Sequence, residues 1–167
     1  MPQLPPSHPM PNTATGQGLQ VRTLSQTDFE QWMSLWSGYN AFYGRSGETT
    51  LPEEITKTTW ERFFNPVEPV FALVAELDGK IVGLVHYLFH RSTTRLGPVC
   101  YLQDLFTCPT QRKRGIGNAL IDEVYRQALQ AGASRVYWQT QTSNEAGRRL
   151  YDKVAKHSGF IVYSHEL

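Results

Sequence analysis

The chain reads Arg112-Lys-Arg-Gly-Ile-Gly-Asn-Ala-Leu120 between a strand-like segment, residues 100–107, and an amphipathic helix. Two glycines, Gly115 and Gly117, allow the backbone to turn tightly and to approach a ligand without interference from a Cβ atom. The amides at the start of the following helix are unpaired, and the positive end of the helix dipole lies behind them. The pattern therefore predicts a binding site for a phosphate or a pyrophosphate.

The same turn excludes the two commonest phosphate motifs. A P-loop requires G-x-x-x-x-G-K-[ST], and a dinucleotide-binding turn requires a third glycine where this chain has Leu120. The pattern that fits is R-x-x-G-x-G, formed by Arg112, Gly115 and Gly117, with Lys113 and Arg114 as further cations. A glycine-rich turn with no ligand remains an open alternative at this point.

A second motif follows one helix and one strand later, where Asn144 precedes Leu150-Tyr151-Asp152-Lys153. The first motif resembles the acetyl-CoA pyrophosphate motif of the GNAT superfamily of acyl-CoA-dependent N-acyltransferases. The second is similar to the superfamily's N-x-x-A-x-x-L-Y-x-K segment, with a one-residue difference in spacing. The resemblance covers residues 19–167 and is strongest from Tyr101 onward. It is closest to a small branch that acetylates polyamines, histone tails and other free amines.

The resemblance implies that acetyl-CoA is the co-substrate and that no metal takes part. In relatives the residue matching Asn144 binds the pantetheine arm, and the one matching Tyr151 protonates the departing CoA thiolate. Since the two are seven residues apart, a helix would place them on one side. An N–H near Leu105 or Phe106 would bind the tetrahedral oxyanion. The predicted acetyl-CoA contacts are Leu105, Phe106, Thr107, Arg112, Lys113, Arg114, Gly115, Ile116, Gly117, Asn118, Asn144 and Tyr151.

The general base is the main departure from the family pattern. Polyamine-acetylating relatives have a glutamate at the position of Gln103, and a glutamine cannot accept the proton. Asp104 is adjacent, but strand alternation directs it to the other face unless a β-bulge shifts the register, as a bulge does in relatives. We predict Asp104 and Tyr151 as the catalytic residues. A structural carboxylate at Asp104, a base at Glu48 and a role for bulk water remain alternatives.

The acceptor amine is expected between the first two helices, where Tyr39 and Tyr43 follow an aromatic stripe. These tyrosines and Gln103 are the predicted substrate contacts, although both tyrosines also suit a simple core stripe. The reaction would move an acetyl group to a small amine, a polyamine, an amino acid or a protein lysine. His86 and His90 lie in one strand without a carboxylate ligand pattern, which argues against a metal site.

The order of predicted elements is β-α-α-β-β-β-α-β-α-β, an α/β fold with a mixed sheet flanked by helices on both faces. A capping box at Ser25–Asp28 and a hairpin at Asp78-Gly79 mark two of the boundaries. The predicted strands are 19–23, 71–76, 81–89, 99–107, 135–141 and 160–164, and the later predicted helices are 52–64, 116–131 and 144–156. The early end of the chain would leave a sheet edge that a second copy could cover, so a homodimer is expected.

Composition narrows the function further. The 167 residues carry sixteen basic and fifteen acidic side chains, a net charge of +1, which is not the basic excess of a nucleic-acid-binding domain. Residues 1–18 are rich in proline and lack charged side chains, so we predict a disordered tail before a single domain at 19–167. The tail has no signal-peptide pattern, and no apolar run is long enough for a bilayer. A cytoplasmic protein without membrane association is expected.

Two other functions are compatible with these patterns. The first is a non-catalytic domain that binds acyl-CoA and regulates a partner, which the glutamine at position 103 would favour. The second uses the cations at residues 112–114 as part of an RNA or DNA surface. The near-neutral charge balance argues against the second of these.

Overall fold

The computed structural model describes residues 13–14 and 18–167, which form one six-stranded sheet with helices on both of its faces. The strands are β1 Thr13–Ala14, β2 Leu19–Thr23, β3 Val70–Leu77, β4 Lys80–His90, β5 Val99–Thr107 and β6 Val136–Tyr137. The helices are α1 Phe29–Phe42, α2 Glu53–Arg62, α3 Ile116–Gln130 and α4 Glu145–Val154. Strand order follows chain order, antiparallel from β1 to β5 and parallel between β5 and β6. The predicted mixed α/β fold is confirmed.

The hairpin between β3 and β4 turns where the sequence predicts it. Asp78 and Gly79 both have positive φ, 50° and 76°, as a two-residue turn of the favoured hand requires. Leu77 and Lys80 face each other across the turn. The turn residues therefore set the register next to the turn, and a bulge between Ala75 and Glu76 shifts it for the rest of the pair.

Two hydrophobic cores lie on opposite faces of the sheet. On one face α3 contributes Leu120, Ile121 and Val124, and α4 packs beside it through Leu150 and Val154. On the other face α1 contributes the core residues Trp32, Leu35, Trp36 and Tyr39, with Trp60 of α2 against them. The apolar stripe of α1 thus forms core, as its spacing predicts.

A β-bulge interrupts the pairing of β4 with β5. His86 is opposite Asp104 and Tyr87 is opposite Leu102, so Gln103 has no partner on β4. Leu102 belongs to the core under α3, whereas the Asp104 carboxylate contacts His86, which lies under α1. The bulge that Asp104 needed in order to change face is present.

The next pair of strands separates soon after it forms. The parallel pairing of β5 with β6 is confined to Cys100↔Val136 and Tyr101↔Tyr137. Among the described residues, the part of β5 from Leu102 to Thr107 pairs with β4 alone, because β6 ends at Tyr137. A gap therefore opens beside the second half of β5, next to the start of α3.

Two of the predicted strands differ from the structure. The strand expected at 135–141 is reduced to Val136–Tyr137, and the strand expected at 160–164 is not formed. Phe160, Ile161, Val162 and Tyr163 are 67–88% exposed, because none of the described helices and strands packs against them. A strand requires a partner backbone, and the two-residue β6 offers almost none.

The amino-terminal prediction is largely untested. Residues 1–12 and 15–17 lie outside the described part of the chain, and so does most of the predicted disordered tail. Thr13–Ala14 pairs antiparallel with β2, opposite Val21 and Gln20. The described chain thus has a short edge strand ahead of residue 19.

Candidate active site

The glycine turn before α3 has the backbone geometry of an anion site. Lys113 and Gly115 have φ values of 65° and 79°, in the left-handed region. The first hydrogen bond of the helix joins the Ala119 amide to the Gly115 carbonyl at 2.9 Å, so three amides precede it. These belong to Ile116, Gly117 and Asn118, and no side chain caps the helix. Left-handed residues followed by free amides form a concave surface for an anion.

The second glycine of the motif has a packing role. A Cβ atom at Gly117 would lie 2.9 Å from Leu150 Cδ2, and one at Gly83 would lie 2.8 Å from Ile116 Cγ2. The first turn of α3 is therefore held close to both α4 and β4. This contact explains why glycine is needed at 117 independently of any ligand.

Three exposed cations surround the turn. Arg112, Lys113 and Arg114 take part in none of the ion pairs formed by the described residues, and Arg114 donates instead to Gln111 Oε1 at 2.6 Å. The Asn118 side chain donates to Asp122 Oδ2 at 2.7 Å, and its backbone amide is one of the three at the start of α3. Cations without carboxylate partners add to the positive potential of the helix start.

The free edge of β5 completes this side of the site. Leu105, Phe106 and Thr107 lie on the part of β5 that has no β6 partner, and the chain then continues into the glycine turn. Phe106 is buried under α1, while Leu105 packs against the core under α3. Their side chains are thus committed to the two cores, so any contact with a ligand in the gap has to come from the backbone.

Tyr151 lies on α4, on the same face of the sheet as α3. Its ring meets Trp138 edge-on at 5.4 Å and packs against the core. Burial raises the pKa of Tyr151 to about 12, with a smaller contribution from Tyr43. The phenol therefore stays protonated at neutral pH and can donate a proton.

Asn144 differs in detail from the predicted arrangement. It is the N-cap of α4 rather than a residue inside the helix: its Oδ1 accepts from the Gly147 amide at 3.1 Å. Its Nδ2 donates to Thr140 Oγ1 at 2.9 Å. One N–H of the Asn144 amide is left for a ligand.

Asp104 is part of a buried network on the α1 face. Trp32 Nε1 donates to His86 Nε2 at 3.0 Å, so the His86 proton is on Nδ1, which lies 2.9 Å from Asp104 Oδ2. The charge of Asp104 also acts on the Tyr39 hydroxyl. The carboxylate thus lies beside a histidine N–H and a phenol, and Trp32 occupies the other ring nitrogen of His86.

The predicted acceptor residues gather around this carboxylate. Burial, followed by the charge of Asp104, raises the pKa of Tyr39. Burial also raises the pKa of Tyr101, with contributions from Asp104 and Tyr43. Tyr43 makes a smaller contribution to the raised pKa of Tyr151 as well, and its ring packs against Tyr39 at 5.0 Å. The bulged Gln103 is exposed.

Three residues that shape this site are not among the predicted site residues. His86 and Trp32 fix the environment of Asp104, and Arg45 lies over the rings of Tyr39 and Tyr43 at 5.8 and 5.5 Å. A histidine inside the apolar strand 81–89 does carry a signal, because a buried polar group needs a partner. Arg45 carries none, since an arginine in a glycine-flanked loop resembles any surface arginine.

The described residues show neither a metal site nor a membrane-spanning helix. They contain no group of three or more His, Cys, Asp or Glu side chains that could hold a metal ion. None of their helices is long and apolar enough to cross a bilayer.

Parallel strands that part beside an anion-binding turn make a slot for an elongated, phosphate-bearing co-substrate. A protonated phenol on one side of the slot and a buried carboxylate on the other suit transfer of an acyl group between two bound molecules. Fold and site together define an α/β acyltransferase.

Comparison with known proteins agrees with this class. The model of the acetyltransferase (GNAT) family matches residues 29–155. The chain is 31% identical over 159 residues to the D-amino-acid N-acetyltransferase HPA3 of Saccharomyces cerevisiae, covering 94% of this chain and 96% of that protein. The chain belongs to the GNAT acetyltransferase family, whose members acetylate amines with acetyl-CoA, and the predicted family and enzyme class are confirmed.

Solved structures support the fold. A ribosomal-protein-alanine N-acetyltransferase from Brucella melitensis superposes with a TM-score of 0.70 at 19% identity, over 89% of this chain and 99% of that one. The aminoglycoside acetyltransferase AAC(6')-Iy, in complex with a CoA bisubstrate analogue, superposes with a TM-score of 0.75 at 17% identity, over 89% and 98%. At these identities the likeness establishes the fold alone.

Proposed function

We propose that this acetyltransferase moves the acetyl group to a primary amine by direct attack, with Tyr151 as the acid and Asp104 as the base. The observation that supports the proposal is the gap beside the free edge of β5. Tyr151 lies on the α3 side of the sheet, and the Asp104 network lies on the α1 side. The acid and the base would therefore act from opposite faces of the sheet, on either side of β5.

The co-substrate would bind along this gap. Its pyrophosphate would accept hydrogen bonds from the amides of Ile116, Gly117 and Asn118, assisted by the cations at 112–114. The pantetheine arm would follow the β5 edge, within reach of the free N–H of Asn144. This orientation brings the thioester toward the bulge, where a β5 amide near Leu105 or Phe106 would stabilise the oxyanion.

The proton from the amine needs a route, because an alkylamine with a pKa near ~10.4 is mostly protonated at neutral pH. Asp104 is buried, and its charge acts on the Tyr39 hydroxyl, which would carry the proton between the amine and the carboxylate. The amine would pass its proton to Tyr39 Oη as Tyr39 passes its own to Asp104, so the carboxylate receives one proton in total. The neutral nitrogen then attacks the thioester carbon to form the C–N bond, the C–S bond breaks, and Tyr151 protonates the leaving thiolate. The nitrogen releases its second proton to solvent, from which Tyr151 regains one, and Asp104 releases its proton when the products leave.

Among possible acceptors, an amino acid has the best support. The relative from Saccharomyces cerevisiae is named for D-amino-acid acetylation and matches nearly the whole chain. Small amines, polyamines and protein lysines share the same chemistry and remain the comparison set.

The test is a thiol-release assay with acetyl-CoA and one member of each amine class, read together with mass spectrometry of the product. We expect release of CoA thiol in equal amount to the N-acetyl product, with an amino acid as the best acceptor. Binding of acetyl-CoA without transfer to any amine would contradict the proposal and favour the regulatory, non-catalytic alternative.

The oligomeric state and the location in the cell are proposed on separate observations. We propose a homodimer, since β6 is an edge strand of the described sheet and residues 160–163 expose four large apolar side chains. We also propose a cytoplasmic location, since Cys100 and Cys108 are both free thiols, as a reducing compartment would keep them.

A further inference from the structure

Arg45 is held in place by the end of α1. Its backbone amide donates to the Asn40 carbonyl at 2.9 Å, and its Nε donates to Asn40 Oδ1 at 2.7 Å. Asn40 is itself buried, and its Nδ2 donates to the Trp36 carbonyl at 2.8 Å. This bond fixes the amide so that its oxygen faces the arginine. The side chain is thus oriented by two successive hydrogen bonds rather than left free in a loop.

The guanidinium is oriented by neutral groups only. It lies over the rings of Tyr39 and Tyr43, at 5.8 and 5.5 Å from their centroids, and it is half-buried. Arg22, Arg62, Arg126 and Arg149 each form ion pairs with a carboxylate, but Arg45 forms none with any residue that the structure describes. With Nε used by Asn40, the remaining N–H groups on Nη1 and Nη2 are available to a planar anion.

Tyr39 connects this cation to the proposed base. Its ring lies beside the Arg45 guanidinium, and the charge of Asp104 acts on its hydroxyl. One tyrosine therefore has a positive group at its ring and a negative group at its hydroxyl. A free α-amino acid has the complementary pair, an ammonium and a carboxylate on the same carbon.

We infer that Arg45 binds the α-carboxylate of the acceptor, which makes a free α-amino acid the preferred acceptor class. The inference rests on the proposed function, since it assigns the amine end of the same molecule to Tyr39 and Asp104. A guanidinium matches a carboxylate through two parallel hydrogen bonds, which adds direction as well as charge. The CoA phosphates have their own site at the start of α3, on the opposite face of the sheet from α1.

The test compares acceptors that differ only in the carboxylate. Alanine, leucine and phenylalanine, each as both enantiomers, are assayed against ethylamine, isoamylamine and 2-phenylethylamine with saturating acetyl-CoA. For Arg45→Gln we expect kcat/KM for the best amino acid to fall by about 10- to 100-fold, the usual effect of losing a hydrogen-bonded charge. We expect kcat/KM for its matched amine, and the KM for acetyl-CoA, to stay within about twofold of wild type.

Two further variants separate recognition from folding. Arg45→Lys keeps the charge without the paired hydrogen bonds, so an intermediate loss is expected. Arg91→Gln removes an exposed arginine from the loop after β4 and should leave both acceptor classes unchanged. An equal loss for amino acids and amines, or a wild type that prefers the amines, would overturn the inference while leaving acetyl transfer intact.

A binding measurement covers the case in which no acetyl transfer is seen. Calorimetric titration of wild type and Arg45→Gln with the same amino acids, in the presence of CoA, reads the carboxylate site without turnover. Weaker binding to Arg45→Gln alone would support the site even if the proposed reaction failed. Equal binding to both proteins, or none to either, would overturn it.

Discussion

At the scale of single residues, Tyr151 combines a half-buried ring with a pKa that burial raises to about 12. Tyr151→Phe keeps the ring contact with Trp138 and removes only the acidic proton. We expect turnover to fall by about 10-fold or more, as for loss of a general acid, with acetyl-CoA affinity nearly unchanged. Steady-state kinetics and calorimetry measure the two effects separately. Tyr163→Phe, at an exposed tyrosine, is the control, and wild-type turnover in Tyr151→Phe would remove the acid role.

The same pKa predicts the pH dependence. The protonated phenol is the active form, and a pKa raised from 10.0 to about 12 keeps that form dominant well above neutral pH. The amine must be neutral, and its neutral fraction grows about tenfold per pH unit below a pKa near ~10.4. We therefore expect kcat/KM for the amine to rise from about pH 7 to about pH 10 without a falling limb. A falling limb that begins below about pH 9 would contradict the assigned acid.

Some residues of the candidate site can be predicted from the sequence and others cannot. Tyr151 and the glycine turn follow from motifs, because spacing alone identifies them. Asp104 depends on a bulge, and whether a strand bulges is decided by its neighbours rather than by its own alternation. Trp32 and His86 meet across 54 residues of chain, and such a contact has no local signature.

At the scale of elements, the turn before α3 needs a residue at position 115 that tolerates a left-handed backbone. A Cβ atom there would meet nothing within 4 Å, yet φ is 79°, so the cost of a side chain is conformational and not steric. For Gly115→Ala we expect the free energy of unfolding to fall by about 1–2 kcal/mol, with weaker acetyl-CoA binding. Chemical denaturation and calorimetry measure the two.

Gly115→Asn is the matched comparison, because asparagine tolerates the left-handed region better than alanine. We expect it to recover part of the lost stability and affinity. Equal stability of Gly115→Ala and wild type would mean that the turn does not require a left-handed residue at this position.

Sequence patterns predict some of the strands correctly and others not. Strand β5 has the predicted bounds, Val99–Thr107, because an apolar core lies on both of its faces. The strand after α3 has only two paired residues of the predicted seven, because its pairing with β5 stops at Tyr101 and Tyr137. Apolar composition predicts that residues 160–164 can form a strand, but it does not supply the backbone they would pair with.

At the scale of the whole molecule, the exposed carboxy-terminal residues predict self-association. Four consecutive side chains, residues 160–163, are 67–88% exposed, and β6 is an edge strand of the described sheet. We expect wild type to be a dimer by light scattering at micromolar concentration, and a double change, Phe160→Asp with Val162→Asp, to be a folded monomer. Leu129→Asp, at an isolated apolar side chain that is 77% exposed, should remain dimeric. A monomeric wild type would remove the dimer.

The central claim is that the turn before α3 and the gap beside β5 hold acetyl-CoA. The most direct measurement is a calorimetric titration of the purified protein with acetyl-CoA, with NAD and ATP as controls. We expect acetyl-CoA to bind in the micromolar range, and NAD and ATP not to bind with comparable strength. No binding of acetyl-CoA, or equal binding of all three, would mean that the glycine turn is structural and would contradict the assigned site.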